Sequence, residues 1–150
     1  MTDPFQFYKP TLMNDDPLYR APEDAIVSWQ ELAESARAEL ERIGFAASVV
    51  DARSPDSLPD GAYVWVHEQE PFGVSLDWSP PVTRSPRFRE IVIMQDMTAP
   101  LFQYVVNTKE IIQKAMLDIL KEAGFRTLVD HQERDRYLYR VLAAPAHPVG

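Results

Sequence analysis

The side chains best suited to chemistry stand in the segment HEQE, which holds His67, Glu68 and Glu70. Imidazole and carboxylate groups bind divalent metals, but the zinc-protease motif needs two histidines four residues apart on a helix. This segment has one histidine and continues an alternating strand pattern, which turns His67 and Glu68 to opposite faces. We therefore predict no metal site here, and no metal or other cofactor for the chain.

Nucleophilic and phosphate-binding motifs are also missing from the sequence. None of the eight serines stands in a GxSxG turn, and neither a GxGxxG nor a GxxxxGK(S/T) segment occurs. The chain has no cysteine, which excludes a thiolate nucleophile, a thiolate zinc site and a disulfide. The other histidines, His131 and His147, lie in a charged turn and a proline-flanked tail, where solvent exposure is expected. The sequence thus favours a protein that is not an enzyme.

Aromatic and β-branched residues alternate over AYVWVH, which predicts a strand with two different faces. Val64 and Val66 suit a face covered by helices, so we place Tyr63 and Trp65 on the open face. The last strand is expected to add aromatic residues beside them, namely Tyr137 and Tyr139. An open face with Trp and Tyr is a candidate docking surface. The alternative is that these side chains are core residues or are covered by the N-terminal segment.

Basic residues concentrate in the segment SPPVTRSPRFR, which contains Arg84, Arg87 and Arg89. A guanidinium group binds carboxylates and phosphates well. The whole chain has 15 basic and 23 acidic side chains, a net charge of −8, which disfavours nucleic acid as a partner. The arginines are therefore expected to bind a carboxylate on a neighbouring subunit or on their own chain, or else to lie in solvent.

The composition is that of one soluble domain with an unusual beginning. With 150 residues the chain can form a single core, and no apolar run approaches the ~20 residues that span a bilayer. The N-terminus has no signal-peptide pattern, so we expect a cytoplasmic protein with no membrane partner. Residues 1–24 combine four prolines with apolar side chains and are predicted to be an extended arm. This arm either wraps its own domain or contacts a neighbouring subunit through Phe5, Phe7, Tyr8, Leu12 and Tyr19.

The pattern of apolar residues predicts one α+β domain over residues 25–143, followed by a tail at 144–150. A capping box at Ser28 is expected to start the first helix, which ends at Gly44, and the second helix runs from Asn107 to Gly124. Strands are predicted at 45–50, 62–68, 72–78 and 89–95, with a closing hairpin of 126–130 and 136–142; residues 101–106 suit either a strand or an extra helical turn. We expect a two-layer sandwich, in which both long helices pack on one face of a mostly antiparallel sheet.

In this order of elements the chain resembles the tail-terminator and tail-completion (head–tail joining) proteins of long-tailed bacteriophages. The likeness covers about residues 28–143 and is carried by helix 29–43, FAASVVDARSPDSLPDG, AYVWVHEQ, TKEIIQKAMLDILKEAG and DHQERDRYLYRVLA. The resemblance implies a structural subunit without catalytic residues that forms a ring with its own copies. It also implies other tail or connector proteins as partners, and a place in the virion after assembly in the bacterial cytoplasm.

The helix-plus-sheet order, the acidity and the aromatic face also suit a second class of protein. It comprises small bacterial modules that bind one protein partner, such as toxin-immunity proteins and secretion chaperones. The sequence leaves both interpretations open, and the oligomeric state of the purified protein would separate them.

Overall fold

The computed structural model describes residues 2–7, 19–132 and 136–150. Its three α-helices are α1 (Glu23–Ile43), α2 (Pro86–Ile93) and α3 (Pro100–Glu122). Two 3-10 helices lie at Pro4–Phe7 and Pro81–Arg84. The strands are β1 (Ala47–Val50), β2 (Gly61–His67), β3 (Gly73–Ser79), β4 (Arg126–Gln132) and β5 (Arg136–Ala143).

The five strands form one sheet in the order β1-β2-β3-β5-β4. Only β1 and β2 run parallel, and the other three pairs are antiparallel. The long helices α1 and α3 pack on the sheet, and their apolar stripes meet Val64, Val66 and Leu76 in one core. The predicted α+β sandwich with a mostly antiparallel sheet is thus confirmed. Its physical basis is that each element has one apolar side to bury.

Helix α1 begins six residues earlier than the sequence indicated, at Glu23 instead of residue 29. The predicted capping box at Ser28 is wrong, because Ser28 lies inside the helix and its Oγ donates to the carbonyl oxygen of Ala25 at 2.7 Å. The first turn follows Pro22 and contains Glu23 and Asp24, whose charges suit the positive end of the helix dipole. The predicted end is confirmed. Gly44 has φ 116° and donates its N–H to the carbonyls of the last turn.

The predicted strand at 89–95 is wrong, and helix α2 takes its place. Its β-branched residues favour a strand locally. However, Ser85 caps a helix by accepting the N–H of Phe88 at 3.2 Å, and Pro86 occupies the first turn, where its missing N–H costs nothing. The region between α1 and α3 therefore contains three strands and a short helix. The open choice for residues 101–106 is settled as well, since they belong to α3.

The described part of the N-terminal segment packs on its own domain. Phe7 is buried, with its ring centroid 5.6 Å from that of Trp29 and 5.7 Å from that of Phe72. The backbone carbonyl of Thr2 accepts the indole N–H of Trp29 at 3.0 Å, and Tyr19 packs edge-on against Phe72. Phe7 is thus a core residue and is not available to a partner in this arrangement. Of the other arm residues proposed for partner contacts, Tyr8 and Leu12 lie outside the described residues.

Candidate interaction surfaces

The predicted open face of the sheet exists around β2. Tyr63, Trp65 and His67 are partly exposed and alternate with Val64 and Val66, which are buried against the helices. The His67 ring stacks on the Trp65 indole, with centroids 5.8 Å apart. The placement of these aromatic side chains on the face away from the core is therefore confirmed.

His67 is held in this face as a neutral side chain. Its Nε2 lies 2.7 Å from the Ser75 hydroxyl, and the two groups share a hydrogen bond. Burial, and then the nearby positive charge of Arg140, lower the pKa of His67 from 6.5 to about 4. At neutral pH the imidazole is therefore uncharged, and it acts as a polar link between β2 and β3.

The prediction that Tyr137 and Tyr139 lie beside Trp65 on the open face is wrong. The register pairs Leu76 with Tyr139 and Ser75 with Arg140, so Tyr139 faces the helices and is buried. Tyr137 is two residues from Tyr139 and points to the same face of the sheet. It is half exposed, and its ring contacts the His131 ring. A shift of one residue exchanges the faces of a strand, and the sequence pattern of β5 does not reveal its partner residues.

Arg140 occupies the place that the sequence assigned to tyrosine. The guanidinium is fully buried, and it donates to the Asp130 carboxylate at 2.9 Å and to the carbonyls of Phe72 and Pro71 at 2.7 and 3.0 Å. The Phe5 ring covers it, with its centroid 4.7 Å from the guanidinium carbon. The sequence does not indicate that Arg140 is buried, because an arginine between aromatic and aliphatic residues is equally typical of the solvent-exposed face of a strand.

The N-terminal 3-10 helix occupies part of the open face. Pro4 lies so close to Gly73 that a Cβ at that glycine would be 2.8 Å from the Pro4 Cβ. Phe5 remains 39% exposed above Arg140. The part of this face that can bind another molecule is therefore the strip of Tyr63 and Trp65, with Phe5 at its border.

The three predicted arginines lie around the start of α2. Arg84 forms an ion pair with Asp60, and Arg87 pairs with Glu90 at 3.4 Å. Arg89 is exposed, and the part of the chain that the structure describes offers it no ion-pair partner. Contacts within the chain therefore account for two of these arginines and leave Arg89 facing solvent.

The largest concentration of exposed apolar side chains was missed by the sequence interpretation. Seven of the 14 large hydrophobic residues exposed in the described parts of the chain lie between positions 92 and 111. We call them the α2–α3 apolar surface: Val92, Ile93, Met94, Met97, Tyr104, Val106 and Ile111. Ile93 and Met94 are 78% and 72% exposed. An apolar run of this kind was expected to be buried in a strand, so its exposure was not anticipated.

This surface is carried by a defined helical unit at one end of the sheet. The rings of Phe88 and Phe102 stack with centroids 6.2 Å apart and hold α2 against α3. Farther along α3, Lys109 and Gln113 both bind the Asp77 carboxylate near the end of β3, at 3.3 and 2.8 Å. The nine residues of α3 that precede Lys109 span about 13 Å at ~1.5 Å per residue. This first part of α3 therefore lies at the end of the sheet where β3 finishes.

A cavity of about 450 Å³ lies between α1 and the C-terminal tail. The Arg42 guanidinium bridges the two by donating to the carbonyls of Val149 and Gly150 at 2.9 and 2.8 Å. These contacts tie the tail to α1, and we interpret the cavity as the gap beneath it. Within the described ranges no group of three or more His, Asp or Glu side chains is arranged to hold a metal ion. Nor does any described helix combine the length and the apolar character needed to cross a membrane.

Comparison with known proteins gives no relative for this chain. No family model, no curated protein and no solved structure matches it.

Proposed function

We propose that the chain is a non-enzymatic assembly subunit, which binds further copies of itself through the α2–α3 apolar surface. The observation that carries this proposal is the exposure of seven large apolar side chains within one helical unit. Burying a side chain such as Ile or Met is worth roughly 1.5–3 kcal/mol, and soluble proteins seldom leave such groups together in water. A protein partner would bury these apolar side chains on binding.

Charge supports a second copy as that partner. Residues 81–97, which include α2, carry three arginines and two acidic side chains, whereas the whole chain has 15 basic and 23 acidic ones. A locally basic, apolar surface on an acidic molecule is complementary to the remainder of another copy. Contact between two different patches repeats from copy to copy and closes into a ring if the rotation allows.

The resemblance to phage tail-terminator and tail-completion proteins gives this assembly a biological setting. In that setting the subunits form a ring in the virion and bind other tail or connector proteins. The net charge of −8 suits a ring through which DNA passes, because an acidic wall repels phosphate groups.

Light scattering of the purified protein tests the proposal. We expect the wild type to self-associate as its concentration rises, and Ile93→Asp to weaken the association at least tenfold, because the carboxylate must be desolvated at the interface. Ile43→Asp is the matched control, since Ile43 is 57% exposed and lies at the far end of α1. A wild-type protein that stays monomeric at all concentrations would refute self-assembly.

The alternative function, a module that binds one protein, is favoured by the acidity of the chain. A net charge of −8 suits a basic partner such as a toxin or a secreted protein. Its expected result is a monomer that forms a one-to-one complex with that partner.

A further inference from the structure

Strand β4 forms one edge of the sheet. It stands last in the strand order, and its inner side pairs with β5. Within the described parts of the chain, no other segment forms a backbone hydrogen bond with residues 126–129. In an antiparallel pair every second residue directs its N–H and C=O away from the partner strand, so an edge strand presents a row of these groups outward. Such an edge can bind a further strand.

Large apolar side chains stand on both faces of this edge. Leu128 pairs with Arg140 and so lies on the open face, whereas Val129 pairs with Tyr139 and lies on the helix face. Leu128 is 38% exposed and Val129 is 45% exposed. The helix layer therefore ends before it covers β4 completely, and a neighbouring strand has room to bury apolar side chains on both faces.

The two edges of the sheet differ in how well they are protected. Strand β1, at the other edge, has four residues, and its side chains are buried or partly buried. Strand β4 has seven residues, a length of about 23 Å at ~3.3 Å per residue. Its sequence RTLVDHQ contains neither lysine nor proline, which natural proteins often place on edge strands to prevent pairing. The register shift next to Arg126 places the extra residue, Leu142, in β5, so β4 itself is regular.

The order of residues in β4 suits a second copy of the same strand. In an antiparallel pair centred on Leu128, this residue lies opposite its own copy. Arg126 then lies opposite Asp130 at both ends of the contact, and opposite charges that face each other across strands are favourable. Asp130 keeps its hydrogen bond from Arg140, which lies on the inner side of β4. A pair centred on Val129 would instead place Leu128 opposite Asp130, so the pair centred on Leu128 is the better match.

We infer that β4 pairs antiparallel with β4 of a second copy, around a two-fold axis at Leu128. The two sheets join into one sheet of ten strands, five from each copy, with the long helices of both copies on the same face. The contact is isologous and stops at a dimer, because the pairing occupies β4 of both copies. It shares no residue with the α2–α3 apolar surface. The inference therefore goes beyond the proposed function and holds or fails independently of it.

A lysine at the edge tests the pairing in a protein whose apolar contact is weakened. We expect the Ile93→Asp protein to be a dimer in light scattering, because the strand contact remains. Adding Leu128→Lys should weaken this dimer at least tenfold, since the two ammonium groups would face each other at the axis. Adding Val27→Lys is the matched control and should leave the dimer unchanged, because Val27 is 42% exposed and lies on α1. Thermal unfolding of each variant shows whether its fold is intact.

The results separate this inference from the proposed function. If the wild type assembles and the Ile93→Asp protein is monomeric, the inference is wrong and the proposed function stands. A dimer that Leu128→Lys leaves unchanged would also overturn the inference. If Ile93→Asp assembles as the wild type does and Leu128→Lys makes it monomeric, the strands pair and the apolar surface is not a contact. A wild type that is monomeric at all concentrations would refute both.

A cysteine cross-link tests the register of the pairing. The chain has no cysteine, so Leu128→Cys introduces a single thiol, which lies opposite its own copy. Directly opposite Cβ atoms in an antiparallel pair are about 4.5–5.5 Å apart, close to disulfide geometry. Under mild oxidation Leu128→Cys should form disulfide-linked dimers faster than Val129→Cys, whose thiol lies diagonally from its copy, and faster than Val27→Cys. Equal rates in the three proteins would contradict the inference.

Amide hydrogen exchange distinguishes strand pairing from a contact of side chains alone. Exchange at residues 126–130 of the Ile93→Asp protein should slow as its concentration rises, because the outward N–H groups gain acceptors in the second copy. Exchange in β1 should not depend on concentration. Dimers that form without any change of exchange in β4 would show that the edges do not pair.

Discussion

At the scale of single residues, Arg140 is the side chain on which the open face depends most. It reaches from β5 to the Asp130 carboxylate on β4 and to two carbonyls in the segment before β3. The planar guanidinium can serve all three acceptors at once, which an ammonium group or an apolar side chain cannot do. This one residue therefore joins β4, β5 and the start of β3.

We predict that Arg140→Met lowers the free energy of unfolding by about 3–5 kcal/mol. The substitution leaves the Asp130 carboxylate and the carbonyls of Phe72 and Pro71 without their donor, and most of the cost comes from these unpaired groups. Urea unfolding measures the change. Arg140→Lys should fall between the wild type and Arg140→Met, and a loss below about 1 kcal/mol for the methionine variant would contradict this role.

The neutral state of His67 predicts a pH-dependent stability. Its pKa is about 4 in the folded chain against 6.5 as the ordinary value, so below pH 6.5 the unfolded state binds a proton that the folded state does not. Stability from this group is therefore lost as the pH falls from 6.5 towards 4, by up to about 3 kcal/mol at ~1.36 kcal/mol per unit.

The measurement is urea unfolding of the wild type and of His67→Asn between pH 4 and 8. Carboxylates contribute equally to both proteins, so the difference between the two curves isolates the imidazole. The difference should be flat above pH 7 and should change steadily below 6.5. A constant difference throughout would show that His67 is not held neutral.

At the scale of elements, α2 decides which apolar residues are exposed. As a strand, this segment would bury every second side chain against the core. As a helix it buries Ile91 and turns Val92 and Ile93 outward. The choice is made at its first turn, where Ser85 accepts an N–H and Pro86 supplies the φ angle of a helix.

We predict that Ser85→Ala destabilises α2 by about 1 kcal/mol, because the N–H of Phe88 loses its acceptor. Amide hydrogen exchange at residues 88–94 should accelerate, while the amides of β2 and β3 remain protected. Ser85→Asp is the matched control and should retain protection, since a carboxylate also caps a helix. Equal exchange in all three proteins would show that the cap does not hold this helix.

At the scale of the whole molecule, the chain has two unlike ends. The β2–β3 hairpin places the ion pairs of Glu68 with Arg20 and Arg53 at one end. The α2–α3 apolar surface and its arginines lie at the other end. A molecule of this kind is suited to heterologous association, and the expected loss of self-association for Ile93→Asp is the measurement made at this scale.

The sequence alone determined the class of the fold and the inward face of β2. The apolar stripe of α1 and the alternation of Val64 and Val66 are local periodic patterns, from which burial of one side follows directly. The end of α1 was predicted from Gly44. The terminal hairpin of β4 and β5 was predicted for the same reason. The candidate residues Tyr63 and Trp65 were correctly placed on the outer face on this basis.

Only the tertiary structure decided which residues of β5 face outward, that β1 runs parallel to β2, and that α2 is a helix with an exposed apolar side. Arg140 lies on the open face, where Tyr139 was predicted, because of the register between β5 and β3. That register is set by partners that are distant in sequence. The same holds for Glu68, because its ion pairs join it to Arg20 and Arg53, which belong to other segments of the chain. The periodicity of apolar residues predicts which side chains are buried. The direction of the polar and aromatic side chains depends on contacts between segments that are distant in sequence.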